Sequence, residues 1–200
     1  MTARLALLGD SIAWGQGAAR EQDRLGPRLV DGLARHGVGA EHRVYAVPGA
    51  RSAHLAGQVD RAVTWPPDLV VVVIGANDLT HLEPVEQAVA ALGAAVRRLR
   101  RAGAEVVVAP APDLSMVPHV PAVLRDVVRA TSDAFRERQV AAVTAAGGHV
   151  ADADHRTSAA FAVDSTLFSA DRFHPSSKGY AVIADSVLPA LVEAARSLAS

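Results

Sequence analysis

Ser11, His174 and Asp171 have the side chains and the surroundings for covalent chemistry on a carbonyl carbon. A serine hydroxyl is a weak nucleophile until a neighbouring base accepts its proton. Ser11 stands in Gly9-Asp10-Ser11, with Gly15 and Gly17 following. A serine on such a small-residue turn can expose its hydroxyl while its own backbone N–H faces the same space. The base this reading assigns is His174. Asp171 precedes it by three residues in Asp171-Arg172-Phe173-His174-Pro175. One turn of chain can fold that carboxylate onto the imidazole, fixing its tautomer and stabilising the imidazolium. Taken alone, Asp171 serves equally well as the cap of a helix opened by Pro175. Asn77 carries two N–H donors, which suit an oxyanion that develops during acyl transfer and suit a turn cap just as well. Gly49 lets a backbone N–H approach a ligand closely, or merely permits a tight turn.

Other chemistries fit less well. The chain has no cysteine, so a thiolate nucleophile, a thiolate metal site and a disulfide framework are excluded. Gly9-Asp10-Ser11-Ile12-Ala13 lacks the last glycine of a Gly-x-Ser-x-Gly elbow. Gly15-Gln16-Gly17 is followed by Arg20 where a dinucleotide fingerprint needs glycine, and Lys178 lies in Ser177-Lys178-Gly179, outside any phosphate-binding loop. Asp10, Asn77, Asp78, Asp171 and His174 are hard ligands that a metal-dependent phosphoesterase could gather, which keeps that class as an alternative. His149, Asp152, Asp154 and His155 also cluster, but solvated polar residues are ordinary on a strand end and loop. No metal and no cofactor is expected. Arg97, Arg98, Arg100 and Arg101 complement the dipole at a helix C-terminus.

These residues need a scaffold, and the hydrophobic pattern supplies one. β-Branched runs without alternation mark strands buried on both faces: Arg4–Leu8, Arg43–Val47, Leu69–Ile74, Glu105–Ala109 and, more weakly, Gly148–Ala151. Helical periods lie between them. In Pro84–Arg101 the stripe is Val85, Val89, Leu92, Val96 and Leu99, and Pro121–Ala146 sets Val123, Leu124, Val127, Val128 and Phe135 on one side. The last helix starts near Ser176, with Tyr180, Ile183, Val187, Leu191 and Ala195 as its stripe and Pro189 as a bend. Arg20–His36 and Ser52–Val63 complete the set. The expectation is a three-layer α/β/α domain over residues 1–200, with a five-stranded parallel sheet. Ligands of such sheets bind beyond the carboxyl ends of the strands, where Ser11, Gly49 and Asn77 all fall.

Four blocks in order carry a family resemblance. Gly9-Asp10-Ser11-Ile12, Gly49 in Val47-Pro48-Gly49-Ala50, Gly75-Ala76-Asn77-Asp78, and Asp171 to His174-Pro175 with Gly179-Tyr180 after it resemble the SGNH, or GDSL, esterases and lipases over nearly the whole chain. One departure is visible: an asparagine common just before the second-block glycine is replaced by the stretch Arg43-Val44-Tyr45-Ala46. The resemblance implies the flavodoxin-like SGNH hydrolase fold and ester hydrolysis. It implies Ser11 as nucleophile, His174 as general base then acid, and Asp171 as its orienter. It also implies an oxyanion hole from the Ser11 and Gly49 N–H groups and the Asn77 side chain. Acyl transfer by the same site is the nearest alternative. Loops 13–19, 50–54, 79–83, 111–121 and 156–170 are expected to wall the pocket, with Trp14 and Asp78 as substrate contacts and Met116, Phe161 and Phe168 as apolar lining.

Composition sets the outer bounds. Two hundred residues, half of them apolar, bury enough surface to need no staples. With 20 basic and 21 acidic residues, the net charge of −1 gives no field for nucleic acid, so the expected partner is a small-molecule ester. The most hydrophobic run, 69–76, is far shorter than the roughly 20 residues of a membrane span, so no stable membrane insertion is expected. No leader is visible at the start, and the cytoplasm is the expected location unless one was removed. Oligomeric state has no signature in the sequence.

Overall fold

A computed structural model describes residues 2–151 and 156–198. Five parallel strands, β1 (Ala3–Gly9), β2 (Ala40–Val44), β3 (Leu69–Val73), β4 (Glu105–Ala109) and β5 (His149–Val150), form one sheet in the order β2-β1-β3-β4-β5. This is the flavodoxin-like order, and the chain reverses direction across the sheet between β1 and β3. The helices are α1 (Ser11–Trp14), α2 (Leu25–Arg35), α3 (Leu55–Ala62), α4 (Ala76–Thr80), α5 (Val85–Arg101), α6 (Arg125–Ala145), α7 (Arg156–Val163) and α8 (Ser177–Ser197).

Side chains alternate across a strand, so each strand feeds two cores. Leu5, Leu7, Leu69, Val71 and Val107 pack with Leu29 of α2 and Val187 and Leu191 of α8. Leu8, Val70, Val72, Val106 and Val108 pack with Val59 of α3, Leu92 and Val96 of α5, and Val143 of α6. All five residues of β3 are buried, as continuous valines in a central parallel strand require. The architecture is therefore three-layered α/β/α.

Several boundaries move from the sequence expectation. The second strand is Ala40–Val44, not Arg43–Val47. It is an edge strand whose Glu41, Arg43 and Val44 are exposed, so its sequence is not an apolar run. Tyr45 and Ala46 both donate to the Leu7 carbonyl, which breaks the regular ladder at the point where the apolar residues begin. The helix expected from Arg20 is a single turn at 21–23 followed by α2, and the one expected from Ser52 is a turn at 52–54 followed by α3. The segment 156–170, expected as a loop, holds α7. Of the expected stripe, Phe135 is buried and Val128 packs on the core, but Val123, Leu124 and Val127 are 86%, 48% and 66% exposed; α6 also buries Ser132, Arg136, Gln139 and Val143. Helix α8 continues through Pro189. No helix among the described residues is long and apolar enough to cross a membrane.

Candidate active site

Ser11 opens α1 directly after β1, and Asn77 lies in α4 directly after β3, so the two straddle the point where the strand order reverses. A glycine makes each sharp exit possible. Gly9 stands at φ +125°, and a Cβ there would lie 1.8 Å from the Val73 carbonyl oxygen. Gly75 stands at φ +126°, where a Cβ would press on Ala111 and Gln139 at 2.8 Å. Asp10 caps α1, its carboxylate accepting the Ile12 N–H at 2.9 Å. Burial pushes the Asp10 carboxyl up to about 7; the bond from Ile12 opposes this and the charge of Asp78 adds to it.

Far along the chain, residues 169–176 fold into a tight turn before α8. Phe168 and Pro175 form an isolated antiparallel bridge, and Ser169 N–H donates to the His174 carbonyl. Within the turn Asp171 Oδ1 accepts from the N–H groups of Phe173 and His174 and from Ser169 Oγ, all at 2.8–2.9 Å. Its Oδ2 lies 2.6 Å from His174 Nδ1. Partial burial works against the Asp171 charge, but the bonds from the His174 ring, the two backbone N–H groups and Ser169 outweigh it and hold the carboxyl well below its ordinary range. An ionised carboxylate only accepts, so Nδ1 carries the hydrogen and Nε2 presents a lone pair. Ser11 Oγ–H donates to that Nε2 at 3.1 Å. Asp171 is not the cap of α8; Ser176 is, its hydroxyl accepting the Gly179 N–H.

Of the residues nominated from sequence, the structure thus brings Ser11, His174 and Asp171 into one hydrogen-bonded chain. Asn77 walls the same cleft, and its Nδ2 donates at 3.0 Å to the carbonyl of Ala50, the neighbour of Gly49. An amide NH₂ has a second hydrogen to give. Gly49 is at φ +78°, and no acceptor among the described residues takes its N–H or that of Ser11. The Ser11 N–H stands beside the hydroxyl–imidazole pair and suits a developing oxyanion, whereas Gly49 lines a neighbouring pocket with Val47, Ala50, His54 and Gln58.

Asp78 and Trp14 depart from their expected roles. Asp78 is 2% exposed and accepts from both the N–H and the hydroxyl of Ser52, so it anchors the 50–52 turn rather than meeting a ligand. Trp14 is no wall of the cleft; the Arg24 guanidinium lies over its ring, 4.5 Å from the centroid. The apolar walls are Ile12, Met116, Phe161, Phe168, Phe173 and Ile183, around a volume of about 60 Å³. Phe161 and Phe168 meet edge to face at 5.0 Å.

Sequence reasoning missed three supports. Gln58, 2% exposed, accepts the Gly9 N–H and donates to the Gly9 carbonyl, fixing the strand end that presents Ser11. Gln139, fully buried, does the same for Ala111 N–H and the Ile74 carbonyl. The signal was a glutamine placed within an apolar helical stripe, beside Leu55, Val59 and Ala62 in the case of Gln58. Tyr180, read as core, is buried but also donates its hydroxyl at 2.7 Å to the Gln16 carbonyl, tying α8 to the loop after α1.

No three His, Asp or Glu side chains among the described residues stand close enough to share a metal ion. In the cluster noted in the sequence, His149 pairs with Glu105 at 3.0 Å, while Asp152, Asp154 and His155 lie outside the described residues.

A serine–histidine–aspartate chain at the switch point of a flavodoxin-like sheet defines a class of α/β hydrolases distinct from those with a Gly-x-Ser-x-Gly elbow. The chain belongs to the GDSL-like Lipase/Acylhydrolase family, whose model matches residues 7–182. It is 39% identical over 194 residues, 95% of its length, to the GDSL-like esterase Rv1075c of Mycobacterium tuberculosis, and spans 62% of the length of that relative. Its fold is similar to that of TesA (TM-score 0.75, 20% identity, 96% of this chain and 99% of that one). It is also similar to the psychrotrophic esterase EstA of a Pseudoalteromonas species (TM-score 0.74, 18% identity, 99% and 100%) and to Axe2, an acetylxylan esterase from Geobacillus stearothermophilus (TM-score 0.72, 20% identity, 94% of both).

Proposed function

We propose that this protein hydrolyses carboxylic esters by a serine mechanism. Ser11 Oγ attacks the ester carbonyl while His174 Nε2 takes its proton, and Asp171 stabilises the imidazolium that results. The oxyanion rests on the N–H groups of Ser11 and Gly49 and on the Asn77 amide. His174 then gives its proton to the leaving alcohol. Water, activated by the same ring, adds to the acyl-enzyme and releases the acid. The acyl group enters the apolar cleft at Phe161 and Phe168.

The observation that carries this reading is the continuous chain Ser11 Oγ–His174 Nε2 at 3.1 Å and His174 Nδ1–Asp171 Oδ2 at 2.6 Å, joining residues 163 apart in sequence. Family membership and the esterase relative support the same class of reaction. The test is Ser11→Ala with p-nitrophenyl butyrate as substrate. Turnover is expected to fall by about 10⁴-fold or more, with folding retained by circular dichroism. An ethylphosphonate reagent, prompted by the phosphonate-inhibited EstA, is expected to add its mass to the peptide containing Ser11 and to no other. Undiminished turnover in the alanine variant would remove the assignment.

A further inference from the structure

Beyond the cleft, a larger groove of about 440 Å³ lies against the start of α6. Leu114, Val117 and Phe173 are walls of both spaces, so the groove adjoins the cleft across these three side chains. Its outer rim is made by Leu82, Leu124 and Val127, 88%, 48% and 66% exposed. Leu82 is also held at φ +53°, where glycine or asparagine would sit with less strain. No Asp, Glu, Lys or Arg lines the groove. Exposed aliphatics gathered around a cavity mark a place where something apolar binds. Adjacency to the cleft and freedom from charge among its described lining residues point to an uncharged chain attached to the reacting ester as that occupant.

His119 is a wall of this groove and also touches the site. Its Nε2 lies 2.9 Å from the backbone carbonyl of Asp171. A carbonyl only accepts, so Nε2–H is the donor. That carbonyl begins the peptide leading into Arg172, which stands at φ +57° in the left-handed region. A non-glycine residue keeps such a conformation only where its surroundings hold it. The His119 bond is therefore one of the ties that fix the turn presenting Asp171 to His174.

We propose that the groove takes the far part of an aliphatic chain carried by the ester, and that His119 is a positioning residue linking occupancy of the groove to the Asp171–His174 pair. This rests on the serine-hydrolase reading above. The cleft, at about 60 Å³, is much smaller than the groove, at about 440 Å³, and in this proposal a longer chain passes Phe173 into the groove. Lodged between Val117 and Leu124, the chain holds residues 114–124 in place and keeps His119 on the Asp171 carbonyl. An acetyl group stays in the cleft and does not reach Leu124 or Val127, which line the groove alone.

The test is a series of p-nitrophenyl esters from acetate to decanoate. For the unaltered protein, kcat rises with chain length while KM falls. His119→Ala is expected to lower kcat on the decanoate by about fivefold, the rate equivalent of one hydrogen bond, with its KM changed by less than about twofold. His119→Gln, which keeps an N–H donor, restores part of that loss. Thr131→Trp, which fills the groove from an exposed position on α6, is expected to raise the decanoate-to-acetate ratio of KM by about tenfold, roughly the worth of two buried methylenes. A kcat indifferent to chain length, a decanoate kcat untouched by His119→Ala, or a KM ratio unmoved by Thr131→Trp each overturns the proposal. Absence of ester turnover in the unaltered protein would instead overturn the hydrolase reading.

Discussion

Gly9, Asp10 and Ser11 sit at the end of a strand with Asp10 1% and Ser11 7% exposed, whereas the side chain of Asp171, at the other end of the same hydrogen-bonded chain, is 47% exposed. Ser11, the proposed nucleophile, is held by burial. Its strand is flanked on both edges by other strands, its backbone is gripped by the two hydrogen bonds of the Gln58 amide to Gly9, and no side chain could replace the hydrogen of Gly9. His174, the proposed base, is held by a surface turn whose order comes from short-range hydrogen bonds converging on one carboxylate. Buried polar bonds are costly to break because water cannot replace them, while exposed ones are exchanged cheaply. Catalytic geometry and fold stability should therefore separate between the two halves.

Among the variants that test this contrast, the largest effect expected is Asp171→Ala. It should lower kcat/KM by about 10³–10⁴ while moving the thermal midpoint by only a few degrees, since water reaches the vacated partners. Activity assays beside a melting curve check this; a collapse of stability with the activity would put Asp171 on the buried side of the divide.

Next in size is a pH effect at Asp10. Its carboxyl titrates at about 7 in the folded chain, above its ordinary value, so the folded state holds a proton that the unfolded state has released. Stability from this group is complete below about pH 4 and is lost as the pH rises through 7, by up to about 4 kcal/mol. Asp171, held low, behaves oppositely, contributing above about pH 4 and less as the pH falls. Asp10→Asn keeps an oxygen for the Ile12 N–H and removes the titration. Urea unfolding at pH 4.5 and 7.5 should show a variant-minus-parent difference that grows with pH, and a constant difference would break the assignment.

Gln58→Ala should cost about 3 kcal/mol, because both the N–H and the carbonyl of Gly9 lose their side-chain partner. Activity per folded molecule should change little. A large drop in kcat with stability intact would mean that Gln58 tunes Ser11 rather than supporting its strand.

The same contrast explains what could be read from the sequence. The buried half was legible, since continuous valine runs and the glycine that closes β1 announce a strand end at the sheet's switch point. The three site residues and Asn77 were legible by type and by family resemblance. Three features were not. The polar strand β2 hides because an edge strand exposes half its residues. Asp78 reads like a ligand-facing carboxylate, but its partner Ser52 comes from a turn 26 residues away, and that pairing leaves no local mark. Val123, Leu124 and Val127 have the period of a core stripe, yet nothing covers them among the described residues, because period reports a shared face and not what packs on it.

The hydroxyl of residue 11 and the ring of residue 174 meet only after almost the whole polypeptide has been threaded through the sheet. On the ribosome, the early strands emerge and begin to collapse long before the imidazole exists. Until then Ser11 is an ordinary alcohol, inert towards the esters around it. On the proposed mechanism the molecule is thus born without reactivity and acquires it only once the turn carrying His174 has folded against Ser11. A protease cut between α7 and α8 that let the turn drift would disarm it again without touching the nucleophile.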